Sequence, residues 1–120
     1  MSADIQRTVN IGSKKYTVVQ TADIKQFNAN HYYRVLRKED GVILNTVSFQ
    51  KGAIKEHGVN GIMNEDLIAM VIDRLQSFQE SDFACRENAV AITKLEEALM
   101  WLRKRTQDRE DRGVEGTHNI

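Results

Sequence analysis

The chain has 120 residues, 41% hydrophobic and 28% charged, enough for one modest core and too few for a second. Its 17 basic residues balance 17 acidic ones, which excludes a global electrostatic case for coating a nucleic-acid polymer or an anionic membrane and leaves only local anion binding. The lone Cys85 excludes an internal disulfide or a thiolate metal cluster, and the opening MSADIQRTVNIG lacks a signal-peptide core, so a cytoplasmic protein is expected.

In chain order, β-branched and aromatic residues cluster at 7–11 and 16–20, separated by Gly12-Ser13-Lys14-Lys15, and this predicts a first β-hairpin. A second, longer hairpin is predicted from 32–37 and 42–50, with the Asp40-Gly41 step as its turn. Residues 21–30 between them show no strong period, and Asn28 and Asn30 favour turns, so a loop is expected there. The segment KGAIKEHGVNGIM at 51–63 carries glycines at 52, 58 and 61, the mark of a loop that crosses between layers and approaches something closely.

The second half changes period. A helix is expected from the N-cap Asn64, with Glu65 and Asp66 in its first turn and Leu67, Val71, Leu75 and Phe78 as its apolar stripe. A second helix, capped by Ser81 or Asp82 and stopped by Gly113, is expected over 84–112, roughly 29 residues or about 43 Å. The break between them is short enough to force an antiparallel hairpin. The predicted architecture is α+β in one domain: an antiparallel sheet and crossing loop over 1–62, a helical hairpin over 63–113, and a tail over 114–120.

The chemistry concentrates on one stripe of the second helix: Ala84, Asn88, Ala91, Leu95, Ala98, Leu102, Arg105, Arg109 and Arg112. The first helix, about 17 residues or roughly 25 Å, runs out near Met100, so the arginine end projects past it. Three planar forks on one face suit a pyrophosphate. The same arginines also suit the negative end of a helix dipole and ordinary pairing with Asp108, Glu110 and Asp111. Asn88 interrupts an apolar row and needs partners, either backbone near the turn or a ligand. Phe78 reads first as core, and second as an aromatic for stacking a purine. The histidines, His31, His57 and His118, show no metal-ligand spacing, and no P-loop, GxGxxG or GxSxG occurs, so neither a metal, a cofactor nor catalysis is expected.

The runs NEDLIAMVIDRLQSFQ, FACREN and LEEALMWLRKRTQDREDRGVEGTH, over roughly 60–118, resemble the helical hairpin of phage anti-defence sponge proteins, and with the preceding sheet the chain resembles the phage Thoeris anti-defence sponge family. The resemblance implies a protein that sequesters, without cleaving, the cyclic ADP-ribose isomers (glycocyclic ADP-ribose) made by bacterial TIR-domain immune enzymes, and extends to the cyclic di- and trinucleotides of CBASS defence. It places ligand contacts on Phe78, Asn88, Arg105 and Arg109, with Arg34 of the sheet completing the pocket. It also implies a homo-oligomer built from dimers, with pockets where the arginine end of one helix meets a neighbour. The competing reading is a phage interaction module that uses the hairpin only to assemble.

Overall fold

The computed structural model describes residues 6–12 and 14–120. Ser13 of the first expected turn, and the residues 1–5 on which the signal-peptide reading partly rests, lie outside the described residues. The chain divides into two compact units, 1–62 and 63–120.

The first unit is an antiparallel meander of four strands in chain order: β1 (Arg7–Thr8), β2 (Thr17–Thr21), β3 (Tyr32–Arg37) and β4 (Ile43–Ser48). Val18, Leu36 and Ile43 stand in register across one face, and Val19, Val35 and Asn45 across the other. Leu36 is the buried apolar residue of this sheet. Thr21 is buried as well, its hydroxyl donating to the Tyr32 carbonyl at 2.9 Å. β1 and β4 are shorter than expected, and residue 44 breaks the β3–β4 register. The β3–β4 turn has the chemistry its sequence promised: Gly41 takes φ 75°, and Asp40 accepts Arg37 at 3.0 and 2.7 Å and the Val42 N–H at 3.2 Å.

Residues 21–30 contain a tight turn, Gln26 pairing with Ala29 around Phe27 and Asn28, both at positive φ. The 51–63 segment is more ordered than a plain loop and holds the one-turn helix α1 (Ile54–His57). Two amides staple it. Gln50 donates to Gly52 and Gly58 carbonyls and accepts the Asn60 N–H, while Asn60 exchanges two hydrogen bonds with the Lys51 backbone at 2.8 Å each. Gly61 makes the close approach: a Cβ there would lie 2.4 Å from the Phe49 carbonyl. Its neighbour Ile62 pairs with the end of β4.

The second unit is the helical hairpin of α2 (Asn64–Gln79) and α3 (Arg86–Asp111). α2 is capped one residue earlier than expected, because the Asp66 carboxylate reaches back to the Met63 N–H at 2.8 Å. α3 ends before Gly113, whose φ of 72° lets the Val114 N–H return to the Arg109 carbonyl.

The seam between the helices is Ile68, Ile72, Leu75 and Gln79 against Asn88, Ile92, Leu95, Leu99 and Leu102, half-buried positions in alternating steps of four and three that Thr106 continues along α3. That is a coiled-coil repeat. It is rotated from the expected stripe of α2, since Val71 and Phe78 stay exposed. The first helix carries two adjacent apolar rows and a single partner covers only one. Gln79 settles which: its amide accepts the Cys85 N–H and donates to the Cys85 carbonyl, both at 2.9 Å, and so faces the turn.

A candidate ligand face on the helical hairpin

The hairpin has two long faces beside its seam. One is a shallow trough lined by Ala69, Asp73 and Gln76 of α2 and Glu96, Met100 and Arg103 of α3. These residues follow the seam positions by one place. In an antiparallel pair the residues that precede the seam therefore share the opposite face. That face carries Val71 and Phe78 from α2, and Ala91, Ala98 and Arg105 from α3. Ala91 and Ala98 are small, and Lys94 and the exposed Trp101 share the face with them.

Phe78 sits at the turn end of this face, 38% exposed, with the Arg74 guanidinium 5.5 Å from its ring centroid. Asn88 lies at the same end, in the first turn that follows the N-cap Cys85. It is half-buried in the seam, and its amide has no hydrogen-bond partner among the described residues. Arg105 lies at the other end, exposed, with neither hydrogen bond nor ion pair among the described residues. Seventeen residues of straight helix, or about 25 Å, separate Asn88 from Arg105. One chain thus brings Phe78 and Asn88 together and holds Arg105 apart from them.

The other arginines of the expected set, Arg34, Arg109 and Arg112, are engaged. Arg34 belongs to the sheet unit, where its Nε donates to Gln20 Oε1 across β2 and β3 at 2.9 Å. Arg112 donates to the Ile120 carbonyl at 2.7 Å. Arg109 is 8% exposed and enclosed by the C-terminal tail. Its Nε donates to Glu115 Oε1 at 2.9 Å, its Nη1 to the Asn119 carbonyl at 2.8 Å, and its Nη2 to the Val114 and Thr117 carbonyls at 3.0 Å each. Among the neighbouring charges, Lys104 pairs with Asp108 at 3.1 Å.

Sequence reasoning passed over Glu115, Thr117 and Asn119. The signal was in the RGVEGT run: Gly113 and Gly116 both take positive φ and curl the tail around the guanidinium one and a half turns back. It also passed over Arg74 as the partner of Phe78. Among the described residues no group of His, Cys, Asp or Glu is placed to hold a metal ion, and no helix is long and apolar enough to cross a membrane.

The comparisons with known proteins fit the hairpin. Residues 43–107, from the start of β4 into the last turns of α3, match the family described as Acb2/Tad1, hairpin domain. A protein of Bacillus phage SBSphiJ7 named Thoeris anti-defense 1 is 76% identical over 75 residues, 62% of this chain and 53% of that protein. The chain thus spans about half the length of this curated relative. With the family match covering more than half of its residues, this chain belongs to the Acb2/Tad1 hairpin-domain family.

Proposed function

We propose that this chain is a phage anti-Thoeris protein that acts as a sponge in the host cytoplasm, binding cyclic ADP-ribose-type immune signals without cleaving them. Phe78 offers a stacking surface, Asn88 an amide for a ribose or base edge, and Arg105 a free guanidinium for the pyrophosphate. Arg34, Arg109 and Arg112 are further candidates, each with its side chain already hydrogen-bonded within its own unit. The relative's name supports the anti-defence role. The observation that carries the ligand reading is that the side chains of Asn88 and Arg105 have no polar partner among the described residues, while Phe78 stays exposed on the same hairpin.

The separation of about 25 Å within one chain exceeds the reach of a single cyclic dinucleotide-sized ligand. A homo-oligomer resolves this, since a two-fold pairing sets the turn end of one copy against the arginine end of the next. The apolar surface that the hairpin leaves exposed supports assembly. The same area, with Met70, Val71, Met100 and Trp101 exposed, favours the second reading, a module whose hairpin serves assembly alone.

Calorimetric titration with glycocyclic ADP-ribose isomers and cyclic di- and trinucleotides separates them. The sponge reading expects tight binding, roughly a hundredfold weaker in Arg105→Ala, with an unchanged oligomer and intact ligand recovered after heating. No binding by any of these signals sinks it, and a broken oligomer in Arg105→Ala favours the assembly module.

A further inference from the structure

The crossing segment of the sheet unit holds the single Asn-Gly step of the chain, Asn60-Gly61. The fold asks for both residues. A Cβ at position 61 would collide with the Phe49 carbonyl and the Gln50 nitrogen, so only glycine fits there. The side chain at position 60 accepts the Lys51 N–H and donates to the Lys51 carbonyl, at 2.8 Å each. A primary amide does both, and a carboxylate, having no donor, cannot.

The same dipeptide is poorly shielded against its own chemistry. With no Cβ beside it, the Gly61 nitrogen has an open path to the Asn60 side-chain carbonyl carbon, Cγ. In that attack the bond from the Gly61 nitrogen to Cγ forms, the Cγ–Nδ2 bond breaks, and the Gly61 amide proton leaves with Nδ2 as ammonia. Water then opens the cyclic imide at either carbonyl and leaves aspartate or isoaspartate, with no oxidant or metal required. Asn60 is exposed to that water, and the Gly61 N–H carries no hydrogen bond among the described residues.

We infer that Asn60-Gly61 is a modification site of the sheet unit, a deamidation step that the fold both requires and restrains. The restraint is the staple itself, since the Asn60 amide must give up both bonds to Lys51 before Cγ can meet the Gly61 nitrogen. The backbone on either side is held as well. Asn60 N–H donates to Gln50 Oε1 at 3.0 Å, and Gln50 Nε2 to the Gly58 carbonyl at 2.8 Å. Ile62 N–H donates to the Ser48 carbonyl at 2.9 Å, and Gln50 N–H to the Ile62 carbonyl at 2.8 Å. Deamidation is slow beside such openings, so its rate is the unrestrained rate multiplied by the fraction of molecules open at this segment.

The product undoes the staple. A carboxylate at position 60 sets oxygen against the oxygen of the Lys51 carbonyl. Isoaspartate also adds a methylene to the backbone just before the close approach of Gly61 to Phe49. Either change releases Ile62 from the end of β4, and the step acts as a clock on the sheet unit.

The test incubates the full chain at mildly alkaline pH, folded and in urea, beside Gln50→Ala and Asn60→Asp. Peptide mass spectrometry with electron-transfer fragmentation reads aspartate and isoaspartate at position 60. The folded chain is expected to deamidate there roughly thirtyfold or more slowly than in urea, the factor that two net hydrogen bonds alone would set. Gln50→Ala should speed the folded rate by roughly fivefold or more. Asn60→Asp supplies the product directly, and hydrogen exchange at the Gln50 and Ile62 amides is expected to accelerate by roughly tenfold, with exchange in the helical hairpin unchanged. Equal rates folded and in urea overturn the restraint, a comparison that needs no variant to fold. No deamidation at position 60 in urea overturns the site. Unchanged exchange at Ile62 in Asn60→Asp overturns the release of the segment.

Discussion

The paired stretch of α3 and its overhanging end belong to one helix and are held by different forces. From Asn88 to Leu102 the helix packs a 3.5-residue apolar repeat on α2, where the gain is proportional to area and indifferent to direction. Past Leu102 the seam turns polar at Thr106 and Arg109, and cohesion comes from a guanidinium surrounded by carbonyls and one carboxylate. Apolar packing tolerates small changes of volume. The cage demands one side chain and one tail conformation.

That contrast can be broken most forcefully at the seam. Leu95→Ala is expected to lower the hairpin's unfolding free energy by about 1–3 kcal/mol, less than for a wholly buried leucine because the site is half-exposed. Chemical denaturation would read it, and a cost near zero would mean that the seam is not what holds α3.

A smaller effect is expected at the turn, where polar bonding assists the apolar seam. Gln79→Ala removes both hydrogen bonds to the Cys85 backbone and should cost about 1 kcal/mol. If instead it re-registers the helices, Val71 and Phe78 would become protected and Ile72 exposed in side-chain labelling.

The smallest effect is expected from the exposed ion pair in the sheet unit, a control for the sheltered Arg109–Glu115 pair. Arg37 beside Asp40, helped by the Val42 N–H, holds the Asp40 carboxyl below the usual carboxylate range. A depressed folded value means the contribution is present above the unfolded pKa of about 3.9 and is lost as pH falls through the folded one. Asp40→Asn should therefore flatten the stability profile only below about pH 4, and salt should erase most of the difference. A change at neutral pH that survives high salt would show that exposed pairs here matter as much as sheltered ones.

The elements that depend on local chemistry were legible in the sequence. Asp40-Gly41 marked its turn, Gly113 marked the end of α3, and the switch from period two to period 3.5 near residue 63 marked the passage from sheet to hairpin. Gly61 was legible as a close approach, though its neighbour, the backbone of Phe49, was not. The rotation of α2 was not legible, because two apolar rows stand side by side and periodicity alone ranks them equally.

The candidate site divides in the same way. The amino-acid sequence determined that α3 ends in arginines at helical spacing and that Phe78 and Asn88 flank the turn. Only the tertiary structure decided that Arg105 has no partner among the described residues while Arg109 is enclosed. Spacing along a helix fixes direction, whereas the state of a charged side chain depends on which backbone carbonyls fold back to meet it. Those carbonyls came from a tail whose path two glycines permit but do not dictate.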